Sequence, residues 1–151
     1  MAAEGQAPVS VDLGGVKLTF IHSDPASAYS LMEWDAPAGT RSPPVHVHHH
    51  TDEGFYVLSG TYVFLLDGVM VEAKAGAHVL VPRGHPHTFW NVGEDRGRCL
   101  IVTVPPGLEG YFRELAERLA GAESEEAATR VRAELSARYD TELVLPRQTF
   151  P

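Results

Sequence analysis

Pro44-Val45-His46-Val47-His48-His49-His50-Thr51-Asp52-Glu53 places four histidines and two carboxylates within ten residues. In an extended strand, side chains two positions apart share a face. His46 and His48 therefore aim side by side at one point. Glu53 opens the next strand after a short turn at Thr51-Asp52 and can return to the same face. Two imidazoles and a carboxylate around one point are the donor set of a facial-triad divalent metal site. His87, on a later strand, can supply a fourth donor. A histidine-rich loop is often no more than a solvated loop, and one isolated histidine would favour that reading. Donors at strand-compatible spacing favour a metal.

Outward from this stretch the chain reads as β from residue 9 to residue 104. Val9 to Leu13 and Val16 to Phe20 alternate apolar and polar residues around a Gly14-Gly15 turn. Ala28 to Trp34, Glu53 to Leu58 and Tyr62 to Leu66 are further strands. Asp67-Gly68 is a hairpin signal between Leu66 and Val69. Val69 to Ala73, His78 to Val81, Thr88 to Asn91 and Arg98 to Val104 complete the set. Many short strands with frequent turns predict a closed or doubled antiparallel sheet.

The pattern changes after Pro105-Pro106-Gly107. Leu108, Tyr111, Phe112, Leu115 and Leu119 recur at helical spacing, and Gly121 is the expected stop. Ser124 before Glu125 and Glu126 predicts the N-cap of a second helix with acidic residues in its first turn. Ala128, Val131, Leu135 and Tyr139 form its stripe. The helices are expected to pack on the sheet or on a second subunit. The tail from Thr141, with Pro146 and Pro151, is expected to be extended.

Composition narrows the function classes. The chain has 151 residues, about one domain's worth, with 44% apolar and 21% charged residues. The net charge of −8 lacks the basic footprint that nucleic acid or an anionic membrane requires. A single cysteine, Cys99, excludes an intramolecular disulfide and any CxxC motif, and its apolar neighbours read as core. Residues 1 to 15 carry no secretory signal pattern, and no apolar run approaches the roughly 18 residues of a membrane span. A cytoplasmic, soluble protein is expected.

Two motifs resemble those of the cupin superfamily. The first has Gly39, His46-x-His48, four residues to Glu53, then Gly60. Gly39 stands one residue further upstream than the family pattern, a difference confined to a turn. The second has Gly76, Pro82-x-Gly84, His87 and Asn91 at the family spacing. The likeness spans Gly39 to Asn91. The stretches from Asp52 to Gly60 and from Pro82 to Phe89 further resemble small bacterial quercetin dioxygenase-like cupins. The resemblance implies an all-β cupin double-stranded β-helix (jelly-roll) barrel over residues 1–107. It also implies a helical extension and tail over 108–151 that pack on the same domain.

The implied site is one divalent transition metal ion (Fe, Mn, Ni, Cu or Zn) held by His46, His48, Glu53 and His87. The leading implied activity is a dioxygenase acting on a small enol, catechol or flavonol-like substrate, with Glu53 also taking the substrate hydroxyl proton. Metal-assisted isomerase or lyase chemistry and a non-catalytic ligand-binding barrel are the alternatives. A homodimer is expected.

The other histidines read differently. By alternation His50 shares the face of His46 and His48 and His49 points away, unless the Thr51-Asp52 turn breaks the parity. His85 is expected on the rim of the site, His78 in a structural role, and His22 is remote. Phe55, Phe64 and Phe89 read first as barrel core and second as a pocket wall. Asn91 is expected to fix its strand by hydrogen bonding. Gly60 and Gly76 suit tight turns.

Overall fold

A computed structural model describes residues 7–40 and 43–144. The strands are β1 (Val9–Asp12), β2 (Lys17–His22), β3 (Ser30–Ala36), β4 (His46–Val47), β5 (Asp52–Ser59), β6 (Thr61–Leu66), β7 (Val69–Lys74), β8 (His78–Val81), β9 (His87–Asn91), β10 (Gly97–Val104) and β11 (Glu142–Leu143). The helices are α1 (Leu108–Ala120) and α2 (Glu125–Ser136). One sheet has the order β1-β2-β3-β10-β5-β8, the other β11-β4-β9-β6-β7, and all pairings are antiparallel. The two sheets face each other across one core, as in the jelly roll the sequence predicts.

Strict alternation builds that core. Met32, Trp34 and Ala36 of β3, Phe55 and Val57 of β5, and Cys99 and Ile101 of β10 are all buried. Phe55, Phe64 and Phe89 are core residues, as expected. Phe89 lies 5.6 Å from Phe64 in a stacked arrangement and 5.1 Å from Trp34 edge-on. Such pairs add about 0.5–1.5 kcal/mol each beyond the area they bury. Cys99 is fully buried, and burial pushes its thiol well above the ordinary range, so it is an inert core residue.

The turns follow the sequence signals. Asp67 and Gly68 both take positive φ, 49° and 80°, the backbone of a type I′ hairpin. Gly60 combines φ of 83° with a close approach: an added Cβ would lie 2.8 Å from Gly97 Cα. Asn91 ties this end of the barrel together. Its Nδ2 donates to the carbonyls of Ala36, Pro37 and Asp95, and its Oδ1 accepts from Gly93 N. That is the strand-fixing role expected of it, at the opposite end of β9 from His87.

Both helices form where the spacing places them. Gly121 caps α1, and the Ser124 side chain accepts from Ala127 N at the start of α2. Tyr111 and Leu115 of α1 pack on Val131 and Leu135 of α2, and Phe112 reaches Trp34 at 6.5 Å. The apolar stripe of α1 is thus used inside the chain. Most strand ends shift by one or two residues from expectation, and three boundaries bear on the packing or the site. β3 starts at Ser30, two residues late: an Asx turn at Asp24, with Oδ1 accepting from Ala26 N, leads into a bend at Ser27-Ala28 where Ser27 Oγ accepts from Tyr29 N. β4 ends at Val47, one residue before His48. α2 ends at Ser136, so Tyr139 packs on the helical pair from the turn beyond it. The tail is extended at β11, while Pro146 and Pro151 lie outside the described residues.

Candidate metal centre

β4 and the residue after it, with β5 and β9, bring His46, His48, Glu53 and His87 to one point inside the barrel. All four are buried, and one donor atom from each lies within 4.8 Å of the others. Cross-strand pairing sets His46 opposite His87. Their rings are 4.3 Å apart, and the His46 and His48 rings are 4.9 Å apart. Glu53 Oε2 sits 3.0 Å from His87 Nε2 and 3.4 Å from His48 Nε2. An ion about 2.0–2.2 Å from each donor requires neighbouring donors at about this separation.

The outer nitrogens are already committed. His46 Nδ1 donates to the Pro44 carbonyl at 2.8 Å and His87 Nδ1 to the His85 carbonyl at 3.0 Å. His48 Nδ1 donates to the carbonyl of Asp140. A carbonyl only accepts, so each ring carries its proton on Nδ1 and turns Nε2 inward, the tautomer a metal needs. The two motifs also brace each other. Gly84 N donates to the His48 carbonyl at 2.7 Å, and Arg83 holds Asp52, next to Glu53, through its backbone N, Nε and Nη2. These residues fit a divalent cation: three neutral donors, one anion and an ordered outer shell.

Charge in the cluster follows from burial. Burial, aided by the neighbouring His87 and His48, drives the His46 imidazole down to about 3, so it is a neutral donor. Burial also opposes charge on His48 and Glu53, but the contact between them outweighs it. His48 is raised, and Glu53 is held below the usual carboxylate range by His48 and His87. In the metal-free protein a proton on His48 thus balances Glu53. The His48 contribution is complete below its ordinary value of 6.5 and is lost as pH rises through its higher folded value. The Glu53 contribution is complete above 4.5 and is lost as pH falls through its lower folded value. His46, kept neutral by burial, costs stability progressively as pH falls below 6.5, so chelator-treated protein is expected to be most stable near pH 6.5, with Tm falling on both sides. A bound cation takes the place of the His48 proton and removes the alkaline fall. A Tm that climbs steadily from pH 6 to pH 9 without metal would contradict this pairing.

The remaining histidines sort by geometry. His50 is exposed, so the turn does break the alternation. His49 points away and meets Glu142 at 2.5 Å. His85 is half-exposed beside Asp67, and its carbonyl orients His87. His78 is exposed on β8 against Gly54, and His22 bonds Ser27 far from the cluster.

Sequence reasoning missed two features. Ser30 and Thr103 are fully buried and share a 2.5 Å hydrogen bond. Thr103 is also the cross-strand partner of Glu53, so a polar layer continues from the cluster across β10 to β3. Its signal was a hydroxyl at an otherwise apolar parity position in each strand. The second feature is Asp140-Thr141, beside His48, which no local pattern announces.

Residues 32–103 match the family model described as Cupin domain. An uncharacterized protein of Methanocaldococcus jannaschii is 31% identical over 77 residues, 51% of this chain and 61% of that protein. Oxidoreductase iacF of Pestalotiopsis fici is 43% identical over 54 residues, 35% of this chain and 26% of that protein. The chain thus spans less than two thirds of either curated relative. Among solved structures, a predicted oxalate decarboxylase from Thermotoga maritima superposes with a TM-score of 0.59 at 24% identity, over 69% of this chain and 98% of that one. At that identity the likeness speaks to fold. Residues 32–103 thus match a cupin domain, and the double-stranded β-helix built around them has the cupin fold.

Proposed function

We propose that this chain is a metal-dependent oxygenase of the quercetin dioxygenase-like kind. In this reading residues 1–107 are the barrel unit and 108–151 its extension. His46, His48, Glu53 and His87 hold one divalent transition metal, and the substrate is a small enol, catechol or flavonol-like molecule. The observation that carries it is the set of three inward Nε2 atoms and one buried carboxylate converging inside the barrel. A cation held there supplies a Lewis acid with one or two open positions and, when redox-capable, a means of engaging dioxygen.

The chain's own groups do the rest. The three imidazoles remain neutral donors with fixed orientation. Glu53 binds the cation and takes the proton of the incoming hydroxyl. The aromatic core beneath the cluster keeps bulk water from the reacting centre. The name of the Pestalotiopsis fici relative supports redox chemistry. The homodimer belongs to this proposal too, and the exposed apolar residues Val69 (62%) and Met70 (61%) of edge strand β7 offer it a surface.

A second reading, Lewis-acid isomerase or lyase chemistry, uses the same ligands without oxygen. The described activity of the Thermotoga maritima fold relative favours keeping it. An oxygen electrode separates the two. Protein loaded with iron, manganese, nickel or copper is expected to consume oxygen only when an enol, catechol or flavonol is added. Conversion without oxygen uptake supports the second reading. Stoichiometric ligand binding without turnover leaves a binding barrel.

A further inference from the structure

Two of the three imidazoles are oriented from nearby in the chain: His46 by Pro44 and His87 by His85. His48 is not. Its Nδ1 donates to the carbonyl of Asp140, from the segment that follows α2. The same residue uses its carboxylate on the turn that carries His48. Asp140 Oδ1 accepts from His49 N at 2.7 Å and Oδ2 from His50 N at 2.9 Å, with Thr51 as a further partner.

The segment is anchored at both ends. Arg138 and Tyr139 bond Glu114 of α1 on one side. On the other, β11 pairs with β4, Val144 N donates to the Val45 carbonyl at 2.8 Å, and Glu142 meets His49. Extending the register of Glu142 with Val47 and Leu143 with His46 by one residue brings Thr141, next to Asp140, alongside His48. Thr141 is 4% exposed. Its Oγ1 is the only buried side-chain nitrogen or oxygen without a hydrogen-bond partner among the described residues. A buried hydroxyl left unpaired costs about 1–3 kcal/mol unless something meets it.

We propose that the strap at Asp140-Thr141 is a working part of the metal centre: Asp140 is the positioning residue for His48, and the Thr141 hydroxyl meets the exogenous ligand that the metal binds. This rests on the four-ligand reading above. It ties metal affinity to a segment distant in sequence, and by linkage it ties that segment's order to the metal.

The test uses full-length protein, Co(II) as the metal and azide as the exogenous ligand. Asp140→Ala is expected to raise the Co(II) Kd about 10–100-fold and to change the visible Co(II) spectrum. Asp140→Asn, which keeps one oxygen acceptor, is expected to recover part of both. Thr141→Val, matched in shape, is expected to keep the Co(II) Kd and to weaken azide binding about two- to tenfold. In the unaltered protein, Co(II) or Zn(II) is expected to slow amide exchange at His49 and His50. That measurement decides the positioning role should Asp140→Ala fail to fold. Unchanged Co(II) affinity and spectrum in Asp140→Ala, or exchange indifferent to metal, overturns the role of Asp140. Unchanged azide affinity in Thr141→Val overturns the role of Thr141. Failure of the unaltered protein to bind Co(II) at all would instead bring down the four-ligand reading, and this proposal with it.

Discussion

Glu53→Gln is expected to leave the barrel folded and to cut substrate-dependent oxygen uptake by about 10²–10⁴-fold at saturating metal. The side chain is 3% exposed, and glutamine matches it in shape, so packing is retained. Charge balance in the cluster favours the same outcome. In the metal-free protein the carboxylate is balanced by a proton on His48. Glutamine removes the anion, His48 loses the reason for its proton, and the buried pair disappears together. Replacing both charges of a buried pair is far milder than stranding one. Metal affinity falls, because three neutral donors remain where there was an anion, and saturating metal separates that loss from the loss of chemistry.

Glu53 is held strongly ionised by contact with His48 and His87, which makes it a good ligand and a weak base. A cation at the inward Nε2 atoms would displace the His48 proton and itself hold the carboxylate ionised, so Glu53 would take the substrate proton only on leaving the cation to the incoming hydroxyl. Full turnover by Glu53→Gln at saturating metal would remove the base role while leaving the ligand set intact. Loss of the far-UV dichroism of the barrel would show instead that Glu53 is needed for folding.

The barrel was legible because its strands alternate so strictly. Met32, Trp34 and Ala36 could face only one way, and Asp67-Gly68 and Pro82-x-Gly84 marked where the chain reverses. The four candidate ligands were legible for a related reason. His46 and His48 sit one strand period apart, and strand pairing then carries Glu53 and His87 to the same interior. Helix α2 was read from Ser124 and two glutamates, a purely local signal.

What escaped was set by tertiary contact. His50 had the right parity, yet Asp140 grips the backbone of His49 and His50 and turns that side chain outward. Asp140 and Thr141 acquire their places only when the tail returns as β11 beside β4. No period in the sequence encodes a pairing between residues so far apart. The aromatic stripe of α1 illustrates the same limit: spacing shows that it is buried, and only the fold shows that α2 and Trp34 bury it.

The central claim is that His46, His48, Glu53 and His87 hold one transition metal ion, and elemental analysis tests it most directly. The protein is purified without a His tag or added metal and compared with the His46→Ala/His48→Ala double variant. The double variant removes two of the three inward imidazoles and leaves Glu53 with one neutral partner, too few donors to retain an ion through purification. The account predicts close to one Fe, Mn, Ni, Cu or Zn per chain in the unaltered protein and background levels in the variant. Iron, manganese, nickel or copper agrees with the oxygenase reading, and zinc alone agrees with the Lewis-acid one. No metal in the unaltered protein even after reconstitution, or equal metal in both proteins, would contradict the account.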